Sequence, residues 1–211
     1  MMRIDSVAAQ PDRSGRHTVK FADGSVMRLY RQTVEDFAIY SGKEMDEAEF
    51  THLRAAAEEM SAKMRAVRII SASGVSKSEL EYRLIQKGES KHNAQQAVQW
   101  LSERNLLDDQ ATARQLVQIC ISKGYGLGRA KQTLYEKRIP KEYWNEVLAD
   151  YPDMTDEILS FLHTKLGSNR DPKVLKRTVD ALLRWGHNYG EIRSAMNQFL
   201  ENEDWEEENY G

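Results

Sequence analysis

Apolar residues recur along this chain in a helical unit that repeats, in weakened copies, at intervals of about fifty residues. The matching inward positions hold Leu80 and Leu84, then Ala130 and Leu134, then Thr178 and Leu182. Self-similarity of this kind is typical of tandem arrays in which no single module can bury its own apolar stripe. Such arrays present long surfaces to large partners, so the pattern favours a binding function.

The first part of the chain has a period of two instead. Residues 16–21 and 25–30 alternate apolar with polar side chains on either side of Ala22-Asp23-Gly24. Alternation around an Asp-Gly turn predicts a β-hairpin. Residues 3–7 have the composition of a third strand.

Two helices are predicted to follow the hairpin. We expect Thr33 to cap a short helix over residues 34–40, which Ser41-Gly42 would end. We expect Asp46 to cap a second helix that continues through Leu53 into a run of alanines. A small β-rich segment therefore leads into a helical remainder.

Capping residues divide that remainder into further helices. A stripe of apolar residues at helical spacing precedes a break at Ser73-Gly74, and its members are Met60, Met64, Val67 and Ile70. The predicted helix starts are Ser76 (in a capping box with Glu79), Ser90, Asp108 or Asp109, a first turn containing Pro140, and Asp153. The predicted breaks are Gly88, Gly124-Tyr125-Gly126, residues 167–172 and Gly186.

These signals predict a mainly α, elongated protein, in which a tandem array of three three-helix repeats follows a small N-terminal β-hairpin/α subdomain. The predicted divisions are residues 1–52 for the subdomain, 53–107, 108–152 and 153–203 for the repeats, and 204–211 for an acidic tail.

Composition agrees with a globular, cytoplasmic protein. The 211 residues are 40% hydrophobic and 30% charged, which is too apolar for a disordered chain. No apolar run approaches the roughly 18 residues of a membrane span, and the N-terminus has no apolar stretch typical of a secretory signal. The single cysteine, Cys120, lies in an apolar run and is interpreted as a buried hydrophobe rather than a reactive thiol.

Charge is distributed unevenly although the net charge is only −3. Residues 61–107 carry a net charge of +4, and the two following segments, 108–152 and 153–200, carry +1 each. Residues 201–211 contain six acidic side chains and no basic one, and we expect this tail to be frayed and solvated. It would solubilise the protein, compete with nucleic acid for the basic body, or contact a basic patch on a partner.

Several motifs resemble those of the RecX regulatory proteins. They include Ser78-Glu79-Leu80 with Lys87-Gly88, Leu106-Leu107-Asp108-Asp109, Gly126 to Lys131 with Leu134, Lys137 and Ile139, and Trp185 to Tyr189 with Ile192. The hairpin with Asp23-Gly24 and the following Gly42-Lys43-Glu44-Met45 resemble the leader of one branch of that family. The chain departs from the family pattern where Arg138 replaces glycine, Ala130 replaces isoleucine and Trp185 replaces arginine.

The resemblance implies a non-enzymatic modulator of the RecA recombinase that acts in recombination, DNA repair and the SOS response. Such a protein binds RecA and its filament on single-stranded DNA, and suppresses ATP hydrolysis and strand exchange or limits filament growth. We also expect a monomer with no cofactor, no metal and no membrane partner, and weak binding to single- or double-stranded DNA.

Enzyme motifs are weak in this sequence. The five histidines have no metal-ligand spacing. The Gly124-x-Gly126-x-Gly128 loop lacks the spacing and the preceding strand of a nucleotide fingerprint. We interpret it as an inter-helix turn, with phosphate contact through its amides and Arg129 as the alternative. Asp108-Asp109 is interpreted as a helix cap in preference to a catalytic carboxylate pair.

The alternative function is a stand-alone nucleic-acid-binding or scaffolding helical-repeat protein. Basic residues lie in every helical repeat. Some of them, such as Lys63, Arg65 and Arg68, form a wider basic set beyond the predicted contact residues. The residues predicted to contact a partner or nucleic acid are Lys77, Arg83, Lys87, Lys91, Arg129, Lys131, Lys137, Arg138, Lys176, Arg177 and Arg184. Lys87 and Lys137 occupy equivalent repeat positions. Trp100 and Trp144 are predicted in the core, and Trp185 is a candidate contact residue.

Overall fold

A computed structural model of the chain describes the backbone of residues 1–210 and the side chains of residues 1–201. The fold is mainly helical, with a small N-terminal antiparallel sheet, as the sequence predicts. The chain forms two compact units, Met1–Leu107 and Asp108–Gly211. The side chains of the predicted acidic tail beyond Glu201 lie outside the described residues.

The sheet has four strands in the order β3-β2-β1-β4, all paired antiparallel. Its strands are β1 (Met2–Val7), β2 (Arg16–Phe21), β3 (Val26–Tyr30) and β4 (Glu44–Met45). The predicted hairpin is confirmed, since β2 and β3 pair around a turn in which Gly24 has a φ of +84°. That left-handed conformation favours glycine, which has no Cβ to clash with the backbone.

Helix α1 (Arg31–Asp36) begins directly after β3, so the predicted cap at Thr33 is wrong. Thr33 lies inside the helix and is buried, and no side chain caps the helix start. The helix starts where β3 ends, and the pairing of β3 in the sheet places that start. The predicted cap at Asp46 is confirmed, because its carboxylate accepts a hydrogen bond from the Glu49 amide at 2.7 Å.

Helix α2 (Glu47–Ala72) is one continuous helix of 26 residues. Its Leu53 packs into the core beneath the sheet, and its C-terminal half packs into a second core formed with the next two helices. The most deeply buried residues in that half are Ala62, Ala66 and Ile69. The predicted stripe of larger residues is only half-buried, because small alanines allow the neighbouring helices to approach α2 closely.

The helices α3 (Lys77–Gln86) and α4 (Lys91–Ser102) complete the first unit. The hydroxyls of Ser76 and Ser90 cap them, each accepting a backbone amide three residues later at 3.1 Å, as predicted. Gly88 ends α3 with a φ of +90°. The amides of Gly88 and Glu89 donate to the Ile85 and Leu84 carbonyls, the pattern of a Schellman motif.

The second unit begins with α5 (Asp109–Ser122), which the Asp108 carboxylate caps through the Ala111 amide at 2.9 Å. Helix α6 (Leu127–Glu136) follows. The helix predicted at Pro140 is shorter than expected, since a 3₁₀ turn (Lys141–Tyr143) precedes only five residues of α7 (Trp144–Leu148). Proline donates no amide, and the helix starts after it.

Three more helices complete the second unit, α8 (Thr155–Leu166), α9 (Pro172–Arg184) and α10 (Tyr189–Tyr210). Asp153 precedes α8 and accepts hydrogen bonds from the Thr155 amide and hydroxyl. Asn188 accepts from the Glu191 amide while Glu191 accepts from the Asn188 amide, which is a reciprocal capping box at the start of α10.

The sequence repeat has matching local geometry. The inward leucines Leu84, Leu134 and Leu182 on α3, α6 and α9 are all fully buried. Four residues later, Gly88, Arg138 and Gly186 all have positive φ, at +90°, +53° and +88°. A non-glycine residue in this conformation costs about 1 kcal/mol. Arg138 therefore adopts the same left-handed backbone conformation as the glycines at the equivalent positions. The tryptophans Trp100 and Trp144 pack half-buried against their cores.

Candidate partner and nucleic-acid interface

A basic cleft of about 530 Å³ lies between α2 and the C-terminal part of α3. Four cationic side chains line it, those of Arg65, Arg68, Arg83 and Lys87. Ile69 and Ala72 form its apolar floor. The continuous helix α2 positions the first two cations one turn apart, and the turn after α3 brings Lys87 opposite them.

Protein contacts orient the three arginines of this cleft. Arg65 forms an ion pair with Glu89 at 3.1 Å and donates to the Lys87 carbonyl. Arg68 donates to the Ser14 carbonyl at 3.0 Å and to the Tyr30 hydroxyl at 2.8 Å, and Arg83 pairs with Glu79 at 2.7 Å. Lys87 is exposed, and its side chain has no hydrogen bond or ion pair with the described residues. Lys87 is therefore the cation of this cleft that is most available to a partner.

Lys87 and Arg83 are two of the predicted contact residues, whereas Arg65 and Arg68 belong only to the wider basic set. The spacing of three residues between Arg65 and Arg68 indicates that their side chains are neighbours on one helix face. The sequence alone did not place that face beside Lys87, because Arg65 and Lys87 lie 22 positions apart.

A second basic cleft, also about 530 Å³, lies between α6 and the turn that joins α9 to α10. It brings together three predicted contact residues, Arg129, Lys131 and Arg184. Lys131 and Arg184 are exposed, and Arg129 is half-buried and 3.8 Å from the nearest carboxylate oxygen of Glu136. Glu191 is the acidic residue on the rim. The net charge of the cleft favours an anionic or acidic partner.

Backbone contact between two glycine turns builds this second cleft. The Gly126 amide donates to the Trp185 carbonyl at 2.9 Å, and the Gly128 amide donates to the Gly186 carbonyl at 3.0 Å. A Cβ on Gly126 would lie 2.4 Å from the Gly186 carbonyl group, so only glycine permits the contact. Because these amides already have carbonyl partners, the alternative of phosphate binding through them is wrong. The inter-helix turn is confirmed.

His187 lies directly behind the contact and is buried. Its Nε2 donates to the Gly124 carbonyl at 3.0 Å, which leaves Nδ1 as a buried acceptor without a partner among the described residues. Burial lowers the pKa of His187, while the hydrogen bond to Gly124 and the charges of Glu191 and Glu157 oppose that shift. The lowered pKa favours the neutral imidazole, and its hydrogen bond to Gly124 links the two turns.

Trp185 packs beside these turns. Its ring lies 4.6 Å from the Phe161 ring and 5.8 Å from the Tyr125 ring, measured between centroids. It is half-buried, and its outer part lines a shallow cleft with Lys123 and Ser160. The aromatic packing gives Trp185 a role in joining helices that a cation at this position would not perform.

The remaining predicted contact residues line neither basic cleft. Lys77 and Lys91 are exposed at the starts of α3 and α4, and Lys176 and Arg177 are exposed along α9. Lys137 and Arg138 form the turn after α6, where Lys137 is half-buried and Arg138 is exposed. These six residues are separate surface cations in the structure.

Groups suited to metal binding are not assembled in the described part of the chain. Among the described residues, no three His, Cys, Asp or Glu side chains are close enough to hold a metal ion. Cys120 is buried, as predicted, with its sulfur 3.6 Å from the Thr133 hydroxyl. Burial raises the pKa of Tyr151 to about 12, and its hydroxyl donates to the Tyr125 carbonyl. Over the described residues, no helix is long and apolar enough to cross a membrane.

Comparisons with known proteins find similarity to regulatory proteins named RecX. No family model matches the chain. The regulatory protein RecX of Vibrio parahaemolyticus is 26% identical over 148 residues, which cover 69% of this chain and 94% of that protein. The regulatory protein RecX of Clostridioides difficile is 22% identical over 203 residues, which cover 93% of this chain and 95% of that protein.

Solved structures share the fold at lower identity. A crystal structure of regulatory protein RecX matches with a TM-score of 0.62 and 18% identity, covering 93% of this chain and 100% of that chain. RecX from Lactobacillus salivarius matches with a TM-score of 0.56 and 17% identity, covering 68% of this chain and 97% of that chain. The agreement extends over both the sheet-bearing and the wholly helical parts of the fold.

Proposed function

The curated relatives and the shared fold support a RecX family protein, and from this premise we propose that the chain binds RecA and its filament on single-stranded DNA. Bound there, it reduces ATP hydrolysis and strand exchange. The similarity to RecX regulatory proteins along nearly the whole chain is the observation that carries the proposal.

The two basic clefts support a contact role for cations in each unit. The first contains Arg83 and Lys87, and the second contains Arg129, Lys131 and Arg184. We propose that these five residues contribute more to binding than the six separate surface cations. Several fixed cations around a concave surface attract an acidic surface more strongly than scattered ones do. The three-repeat division, with the sheet as a separate subdomain, remains part of this proposal.

The direct test is a titration of RecA's DNA-dependent ATP hydrolysis with this protein. We expect hydrolysis to fall as the protein is added. The double variant Arg129→Glu/Lys131→Glu should inhibit at least about tenfold more weakly, because two attractions become repulsions. No effect of the unaltered protein at excess would remove the regulator proposal and leave the helical scaffold or nucleic-acid binder.

A matched control is the double variant Lys173→Glu/Arg193→Glu. Both residues are exposed in the same unit, and neither lines a basic cleft. The control changes the net charge by the same amount. Equal weakening by both double variants would indicate a general charge effect and would contradict the assignment of the second cleft to the interface.

A further inference from the structure

The second helix of each repeat exposes a large apolar side chain at its penultimate residue, and α3 also exposes Tyr82. The penultimate residues are Ile85 on α3, Tyr135 on α6 and Leu183 on α9, with 38%, 68% and 43% of their surface exposed. A single exposed apolar side chain is ordinary on a protein surface. Three of them at one repeat position indicate a shared cause.

Local geometry makes the three positions equivalent. Each exposed residue directly follows a fully buried leucine, and each precedes by three positions a residue of positive φ. The buried leucine determines how the helix is rotated about its axis, and the next residue lies about 100° around that axis. The three side chains therefore leave their helices in the same direction relative to the local core.

Basic residues accompany each apolar side chain. Lys87 lies two residues after Ile85, Lys137 and Arg138 lie two and three residues after Tyr135, and Arg184 directly follows Leu183. Lys87, Arg138 and Arg184 are exposed. Each apolar contact point thus has a cationic neighbour, and its complement is an apolar patch beside carboxylates.

We propose that Ile85, Tyr135 and Leu183 are three equivalent contact points for a protein assembly built from repeated subunits. Each point packs against an apolar patch flanked by acidic side chains on the assembly. The inference rests on the proposed function, in which the assembly is the RecA filament. It adds that apolar contacts repeated along the array, in addition to the basic clefts, hold the filament.

A protein surface fits these points better than a nucleic acid. Binding of single strands uses aromatic side chains, on which bases stack. Only Tyr135 of the three has an aromatic ring, and an isoleucine and a leucine hold the other two positions. What the three share is apolar surface, which a protein patch buries.

The triple variant Ile85→Ala/Tyr135→Ala/Leu183→Ala tests the inference in the full-length protein. Labelled protein is titrated with RecA filaments on single-stranded DNA, and its affinity is measured by fluorescence anisotropy. We expect the triple variant to bind about tenfold or more weakly, because it loses apolar area at all three points. Each single alanine variant should contribute part of that loss.

The control is the triple variant Leu106→Ala/Ile119→Ala/Tyr189→Ala. These residues are also exposed, at 54%, 41% and 65%, but none lies at the repeated position. Circular dichroism is used to check that both triple variants remain folded. The control should bind filaments with unchanged affinity.

The outcomes separate this inference from the function on which it rests. Failure of the unaltered protein to bind filaments would overturn both. Binding by the unaltered protein with equal affinity for the two triple variants would overturn the contact points alone. A loss of affinity for bare single-stranded DNA that matches the loss for filaments would assign the three positions to nucleic acid instead.

Discussion

His187 joins two turns that lie 63 positions apart in the chain. Its Nε2 donates to the Gly124 carbonyl, and its buried Nδ1 has no partner among the described residues. An unpartnered buried acceptor costs about 1–3 kcal/mol. Protonation would cost more, since it would place a charge and a second N–H in the same buried site.

We predict that His187 makes stability depend on pH. Burial lowers the pKa of the folded imidazole below the ordinary 6.5 that it has in the unfolded chain. The unfolded state therefore takes up the proton first, and the free energy of unfolding should decrease as the pH falls from 6.5 to the folded pKa. Above that window the neutral form is present in both states, and His187 adds no slope.

The measurement is urea denaturation at about pH 7.5 and about pH 5.5 for the unaltered protein and for His187→Gln. The glutamine retains an amide donor and does not titrate, so the variant should lose less stability on acidification. His163→Gln, at an exposed histidine of the same unit, should retain the slope. An equal pH dependence in the unaltered protein and His187→Gln would refute the role of His187.

The start of α6 and the turn after α9 pack so closely that the glycines between them have no room for a Cβ. A Cβ on Gly186 would lie 2.1 Å from the Arg129 nitrogen, whereas a Cβ on Gly88 would meet nothing within 4 Å. The two glycines have φ values of +88° and +90°. They therefore differ in packing while sharing one backbone conformation.

We predict that Gly186→Ala is much more destabilising than Gly88→Ala. Both variants carry the cost of a left-handed alanine, about 1–2 kcal/mol. Only Gly186→Ala also forces two helices apart, which adds about 1–3 kcal/mol of overpacking. Chemical denaturation of the two variants measures the difference, with Gly88→Ala as the matched control. Similar losses would mean that the turns separate readily and that the contact is weak.

Helix starts and stops were largely predictable because caps are local. The side chains of Asp46, Ser76, Ser90 and Asp108 accept amides only three residues away. The prediction at Thr33 failed because α1 continues from a strand that the sheet holds in place, so its position depends on distant residues. The sequence predicted that a helix follows Pro140, and it did not predict how short that helix is.

At the scale of the whole molecule, acidity and basicity are segregated along the chain. The net charge is −3, yet residues 61–200 are basic as a group. Within the basic part, several arginines already have carboxylate or carbonyl partners in the protein. These arginines are therefore less available to phosphates than the exposed Lys131 and Arg184 of the second cleft.

We predict weak binding to bare single-stranded DNA with a shallow salt dependence. Each phosphate contact changes the slope of log K against log salt by about −0.7 for single strands, so the three cations of the second cleft supply a slope of about −2. Arg129→Glu/Lys131→Glu should remove about two-thirds of that slope. Fluorescence anisotropy over a salt series measures both values. Tight binding with a much steeper slope would favour the alternative of a nucleic-acid-binding protein.

The sequence by itself determined the features that short-range interactions control. They are the hairpin around Asp23-Gly24, the capped helix starts, and the leucine and helix end that recur in each repeat. Each depends on residues that are near one another in the chain, so the order of residue types is sufficient to specify them.

Only the tertiary structure decided which distant residues meet. It placed Gly126 and Gly128 against Gly186, Arg129 and Lys131 beside Arg184, and Arg65 beside Lys87. It also left Ile85 and its two counterparts exposed while the leucines beside them were buried. These outcomes depend on how helices pack, and packing depends on shape complementarity between surfaces that are far apart in sequence. The repeat could therefore be found in the sequence, whereas the surfaces it forms could not.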